Sequence, residues 1–170
     1  MGLTNKSTGI NASETKLVIK KQSRNDKVVA IAGNPNVGKS TVFNGLTGLH
    51  QHTGNWPGKT VTNAQGYCRG KENSYVLVDI PGTYSLLAHS AEEEVARNFI
   101  CFEHPDIIVV VCDATCLERN LNLVIQTIEI HTNVIVCVNL LDEAKKKGID
   151  IDLEQLSSCL GVPVIGITAR

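Results

Sequence analysis

Eight residues hold the clearest chemistry in this chain: Gly33-Asn34-Pro35-Asn36-Val37-Gly38-Lys39-Ser40. The spacing is G-x-x-x-x-G-K-[ST]. Glycines let the backbone close around a phosphate chain with its N–H groups turned inward. Lys39 can reach the outer phosphates, and the Ser40 hydroxyl is a hard oxygen ligand for Mg²⁺. A second group, Asp79-Ile80-Pro81-Gly82, closes another apolar run. Its Asp can hold Mg²⁺ through water, and the Gly82 N–H can meet a terminal phosphate.

The flanks explain how these groups would be positioned. The apolar run 28–32 reads as a strand, and Thr41-Val42-Phe43-Asn44 opens a helix that ends near Gly48. A helix N-terminus facing the loop adds partial positive charge where phosphates sit. Residues 63–69 and 74–80 read as a hairpin turning at 70–73. The runs 107–112, 134–138 and 163–167 read as further strands. Helices are expected over about 90–102, opened by a Ser90/Glu93 capping box, and over 117–130, 143–147 and 152–160. Residues 49–62 contain Gly54, Pro57 and Gly58 and are expected to form a functional loop without a regular element. The expectation is an α/β, three-layer domain. Its sheet is six-stranded and mostly parallel, with one antiparallel edge strand and helices on both faces. In such a sheet ligands bind at the carboxyl ends of the strands, where every candidate residue falls.

Composition bounds the function. The 170 residues suit one domain, preceded by a polar, mildly basic tail over 1–26, in which Leu17-Val18-Ile19 is the only apolar patch. A net charge of −1 gives no basic field for nucleic acid. No apolar run reaches the ~20 residues of a membrane span. The six cysteines are scattered without a C-x-x-C pair and read as reduced, structural and cytosolic, Cys112 and Cys116 included. His50 and His52 read as solvated loop residues rather than metal ligands, and Trp56 as a partly buried anchor.

The order of motifs resembles that of a Ras-like P-loop GTPase. Gly33 to Ser40, Thr60, Asp79 to Gly82, Asn139-Leu140-Leu141-Asp142 and Thr168-Ala169 match five GTPase motifs across about residues 28–170. The Gly54-Asn55-Trp56-Pro57-Gly58 and Asp79-Ile80-Pro81-Gly82-Thr83-Tyr84-Ser85-Leu86 segments carry the resemblance further. With Asp113 to Leu121 and Asp142-Glu143-Ala144, they resemble the cytosolic G domain of the bacterial ferrous iron transporter FeoB family.

The resemblance implies a GTP-hydrolysing regulatory domain over 27–170, ending after the fifth motif. A last helix would then be missing and part of a sheet face uncovered. Helical and membrane domains would follow in a transporter of the bacterial inner membrane, with a homo-oligomer possible in the full protein. It implies that Gly33 to Thr41 cradle GTP or GDP, with Lys39 on the β- and γ-phosphates. Ser40, Thr60 and Asp79 would serve Mg²⁺, and Gly82 the γ-phosphate. Asn139 and Asp142 would read guanine, with Leu140 beside the base and Thr168 and the Ala169 N–H near its 6-oxo group. Loss of the γ-phosphate would release Thr60 and Gly82, so that loops 49–62 and 82–90 relax. Thr83 stands where Ras-like enzymes carry a water-orienting Gln, and Asn36 matches a K⁺ ligand position. Slow hydrolysis stimulated by K⁺ is therefore implied, with Asn36, Lys39, Thr60 and Gly82 as the catalytic set. Rival readings are a P-loop ATPase, disfavoured by Asp142, and a GTP-gated interaction module of a ribosome-assembly or tRNA-modifying GTPase.

Overall fold

A computed structural model of the chain describes residues 17–49, 51–57, 59–87 and 90–169. Its centre is three strands rich in Val and Ile: β1 (Lys27–Gly33), β5 (Ile107–Asp113) and β6 (Val134–Asn139). β-Branched side chains are stiff and pack well on a pleated surface. Ala30, Ile31, Ile108, Val110, Val111 and Val136 are wholly buried, as strands covered on two faces require. β4 (Ser74–Asp79) pairs with β1 on one side, and β7 (Val164–Gly166) closes the other edge beside β6, all parallel. The register sets Asp79 opposite Ile31, Gly33 opposite Val111 and Asn139 opposite Asp113. The polar ends of four strands thus share one rim.

α1 (Lys39–Thr47) covers one face through Val42 and Phe43, against Val29, Ile31, Leu77 and Val111. α2 (Ala91–Phe102) and α3 (Leu117–Ile130) cover the other through Val95, Phe99, Leu123 and Val124. α4 (Leu141–Lys146) and α5 (Leu153–Leu160) pack at that face beside β6 and β7. The helix boundaries follow their caps. Ser90 accepts from the Glu93 N–H at 3.1 Å, Asp152 from the Gln155 N–H at 2.9 Å, and Gly48 and Gly161 stop α1 and α5 in the left-handed region. On the α1 side, Ile107, Val109 and Ile135 are half-buried and Ile165 is 50% exposed, with no helix over them among the described residues.

Three expectations change. The sheet has seven strands rather than six, in the order β2-β3-β4-β1-β5-β6-β7. The added strand is β2 (Gln51–Asn55), inside the stretch expected to lack a regular element. It pairs antiparallel with β3 (Thr62–Arg69), so Gly54, opposite Asn63, gains from its partner the order its own propensity lacks. The antiparallel strand is consequently β3, one place in from the edge. Last, residues 17–26 are held at both ends, although most side chains between them are exposed. Leu17 is buried in the main core cluster, and Asp26, also buried, accepts from the N–H groups of Gln22 and Ser23 at 2.8 Å each. The rest of the expected tail, residues 1–16, lies outside the described residues, as do His50 and Gly58.

Cys112 and Cys137 point into the sheet core. Burial pushes their thiols up to about 12 and about 11, so both act as small apolar side chains.

Candidate functional site

The phosphate loop connects the end of β1 to α1, and its shape is forced by neighbours. Gly38 has φ 84°, and a Cβ there would collide with the Asn139 carboxamide. A Cβ on Gly82 would come within 3.0 Å of the Pro35 nitrogen. The loop and Gly82, just beyond β4, therefore approach at backbone distance, and the Asn139 side chain at the end of β6 packs directly on Gly38, closeness that only glycine allows.

Two cavities, of about 610 and 590 Å³, meet at Lys39, Ser40 and Glu92. Each is within the ~300–1,000 Å³ common for small-molecule sites. The first brings Thr53, Thr60 and Asp79 to Lys39 and Ser40. The second is lined by Asn34, Pro35, Asn36, Gly38, Thr41 and Gly82. All the residues expected on the phosphate and Mg²⁺ side thus gather in one place, except Gly33 and Val37, which are buried beneath it. Ser40, Thr60 and Asp79 form an all-oxygen donor set, the kind Mg²⁺ takes. Lys39 Nζ is paired with Asp79 Oδ1, both side chains largely buried. Asn36 is exposed and left-handed, with φ 65°, and it lines the second cavity. Asn34 is 3% exposed, and its carboxamide has no hydrogen-bond partner among the described residues.

The residues expected to read the base differ in their surroundings. Asn139 is fully buried. Its Nδ2 donates to the Val37 carbonyl at 3.1 Å, and its Oδ1 accepts from the Ala169 N–H at 2.9 Å. It joins the phosphate loop to the fifth motif. Asp142, in the first turn of α4, Leu140, held left-handed at φ 63°, and Thr168 line neither cavity. Asn139→Ala would orphan a buried carbonyl and a part-buried N–H. We expect a loss of about 2–4 kcal/mol, read as a lowered urea midpoint at unchanged m-value.

The loops flanking the cavities are held from α2 and α3. Trp56 is buried with its ring edge-on to Phe99 at 5.4 Å, the anchor its sequence context indicated. Lys59 pairs with Glu94 at 2.6 Å and holds that carboxyl below the usual carboxylate range. After Gly82, the Thr83 N–H donates to the Gly33 carbonyl at 3.1 Å, while the Thr83 hydroxyl turns inward onto the Ser85 carbonyl. Three α3 residues then hold the loop. Gln126 accepts from the Leu86 N–H at 2.7 Å, Asn122 donates to the Tyr84 carbonyl at 3.3 Å, and the Arg119 guanidinium lies 4.3 Å over the Tyr84 ring. These residues, like Glu92, were not singled out from sequence. The readable signal was Arg119, Asn122 and Gln126 recurring three and four apart, one polar stripe on a helix.

Comparison with known proteins agrees with this geometry. A family model described as ferrous iron transport protein B matches residues 27–170. The Fe(2+) transporter FeoB of Shigella flexneri is 42% identical over 145 residues, 83% of this chain and 19% of that protein. This chain thus spans about a fifth of that relative's length. The cytosolic domain of L. pneumophila FeoB superimposes with a TM-score of 0.81 at 43% identity, covering 84% of this chain and 57% of that one. The cytosolic domain of the T. maritima FeoB iron transporter, in a GDP form, gives 0.80 at 40% identity, over 85% and 56%. With a family model matching residues 27–170 and relatives 40–43% identical over more than four fifths of its length, the chain belongs to the ferrous iron transport protein B family.

Proposed function

We propose that this chain is the GTP-binding and GTP-hydrolysing regulatory domain of a membrane ferrous iron transporter. The carrying observation is the convergence of Lys39, Ser40, Thr60 and Asp79 on one cavity at the strand ends. The GDP form of the T. maritima relative supports a guanine nucleotide as the ligand. Ser40 and Thr60 would hold Mg²⁺, with Asp79 reaching it through water. Once bound, the ion supplies charge neutralisation at the phosphates. Lys39 must exchange Asp79 for phosphate oxygens when nucleotide enters, so the ion pair marks the state before binding. Gly82 would donate its N–H to the γ-phosphate, with the next N–H, that of Thr83, held on the Gly33 carbonyl. Loops 49–62 and 82–90 respond together, because Trp56 and Lys59 of the first grip the helix that follows the second. Downstream helical and membrane domains, in a protein of the bacterial inner membrane, would receive that change.

Thr83 is 1% exposed and its hydroxyl is engaged, so it cannot orient an attacking water. Asn36 at the cavity wall is the remaining position from which a fixed cation could be held beside the transferred phosphate. Its carboxamide oxygen is of the type that K⁺ takes, and a cation held there would supply the positive charge that an arginine finger brings elsewhere. Two experiments test the reading. A titration with fluorescent GTP and ATP analogues should show binding of the guanine nucleotide alone. Hydrolysis should be slow in Na⁺ and roughly tenfold faster in K⁺, and Asn36→Ala should lose the difference. Equal rates in the two salts would remove K⁺ from the mechanism.

A further inference from the structure

The β2–β3 hairpin, which leads directly to Thr60, has α1 against one face only: Gly66 on β3 lies beside Thr47 and Phe43. Alternation along β3 turns Asn63, Gln65 and Tyr67 to the opposite face. Residues 17–20 occupy that face. Gln65 is 5% exposed and spends both ends of its carboxamide there, Nε2 donating to the Val18 carbonyl and Oε1 accepting from the Lys20 N–H, each at 3.0 Å. In extended chain the C=O of one residue and the N–H of the second residue on point the same way, so one amide side chain meets both, much as a neighbouring strand would. The Tyr67 hydroxyl adds a bond to the Lys20 carbonyl at 2.7 Å. Leu17 anchors one end of the segment in the cluster that holds Trp56 and Val61, and the Asp26 turn fixes the other end where β1 begins.

We infer that residues 17–20 are an intrachain strap that positions the β2–β3 hairpin and thereby limits nucleotide release, with Gln65 as its clip. The strap shares a cavity of about 210 Å³ with the hairpin, Leu17, Val18 and Lys20 on one side and His52 to Asn55 on the other. Beyond β2 the chain closes in a tight turn, with the Trp56 N–H on the Val61 carbonyl at 2.8 Å and the Lys59 N–H on the Trp56 carbonyl at 3.0 Å. Thr60 therefore rides on a hairpin held by the strap, and swinging it clear of the cavity requires the strap to yield. The family match begins at residue 27, so the strap lies outside the region shared with the matched family. This inference rests on the proposed nucleotide role only for its effect on release.

Hydrogen exchange and release of a fluorescent GDP analogue, measured on the full chain and three variants, test it. Gln65→Ala and Leu17→Ala should each speed exchange at amides 52–56 by about tenfold, with β1 and β5 amides unchanged. GDP release should accelerate in the same order. Gln65→Glu keeps the acceptor for Lys20 but cannot donate to Val18, and should fall between parent and Gln65→Ala. Exchange that is unchanged at 52–56, or raised equally in β1 and β5, overturns the strap. Faster local exchange with unaltered GDP release overturns its control of release. A chain that binds no GDP would sink the nucleotide reading alone, since the exchange comparison still decides the strap.

Discussion

Lys39→Ala should reduce single-turnover GTP hydrolysis by about 10²–10³-fold or more, the scale set by removing one preorganised charge donor from a transferring group. GDP affinity should fall by less, because the developing charge on the γ-phosphate is what Lys39 serves most. The variant has a second consequence, particular to this site. Lys39 is the partner of Asp79, whose side chain is only 17% exposed. Removing the ammonium leaves a half-desolvated carboxylate, so stability without nucleotide should also drop, by about 1–3 kcal/mol. Lys39→Arg retains charge but not shape, and should restore stability more than rate. The double change Lys39→Ala with Asp79→Ala separates the two effects, since it removes the orphaned carboxylate while leaving hydrolysis lost. A Lys39→Ala protein hydrolysing GTP at the parental rate would remove this cavity from the reaction.

That coupling was not legible in the sequence, although both residues were. Lys39 and Asp79 were assigned separately, one to phosphate and one to metal, and nothing local says that they face each other. The phosphate loop, the strand ends and the capped helices were readable because each is a local pattern: a run of Val and Ile closed by a polar group, or a Ser with Glu three residues on. What was missed is non-local. Gly54 reads as a breaker, yet β3 supplies the ladder that orders β2. Leu17-Val18-Ile19, flanked by lysines, reads as solvated, yet Leu17 is buried and the Val18 carbonyl accepts from Gln65, 47 residues along the chain, while Tyr67 bonds the neighbouring Lys20 carbonyl. Asn139 was assigned to the base by its motif, and packing adds what the motif did not announce, bonds to the phosphate loop and to Ala169. Motif spacing thus located the site, and packing divided the labour within it.

That division leads to the last expectation, a change of nucleotide rather than a loss. Asn139 bonds Val37 and Ala169, and we expect Asp142 at the start of α4 to select the base. A carboxylate accepts from both the N1–H and the 2-amino group of guanine, a donor pair adenine lacks. Each such bond contributes roughly 1.5–3 kcal/mol, so Asp142→Asn should weaken GDP binding by about 10²–10⁴-fold, the new amide donor now meeting the 2-amino donor. Xanthine has an oxo group at that carbon and still carries the N1–H. The asparagine amide can donate to the oxo group and accept from N1–H, so XDP should bind the variant better than the parent. Competition between GDP and XDP on the parent, Asp142→Asn and Asn139→Ala proteins measures it. Asn139→Ala should weaken both nucleotides alike, because it loosens the loop without touching the base. If Asp142→Asn kept its GDP affinity, the base would be read elsewhere, and Leu140, left-handed beside it, would be the next residue to exchange.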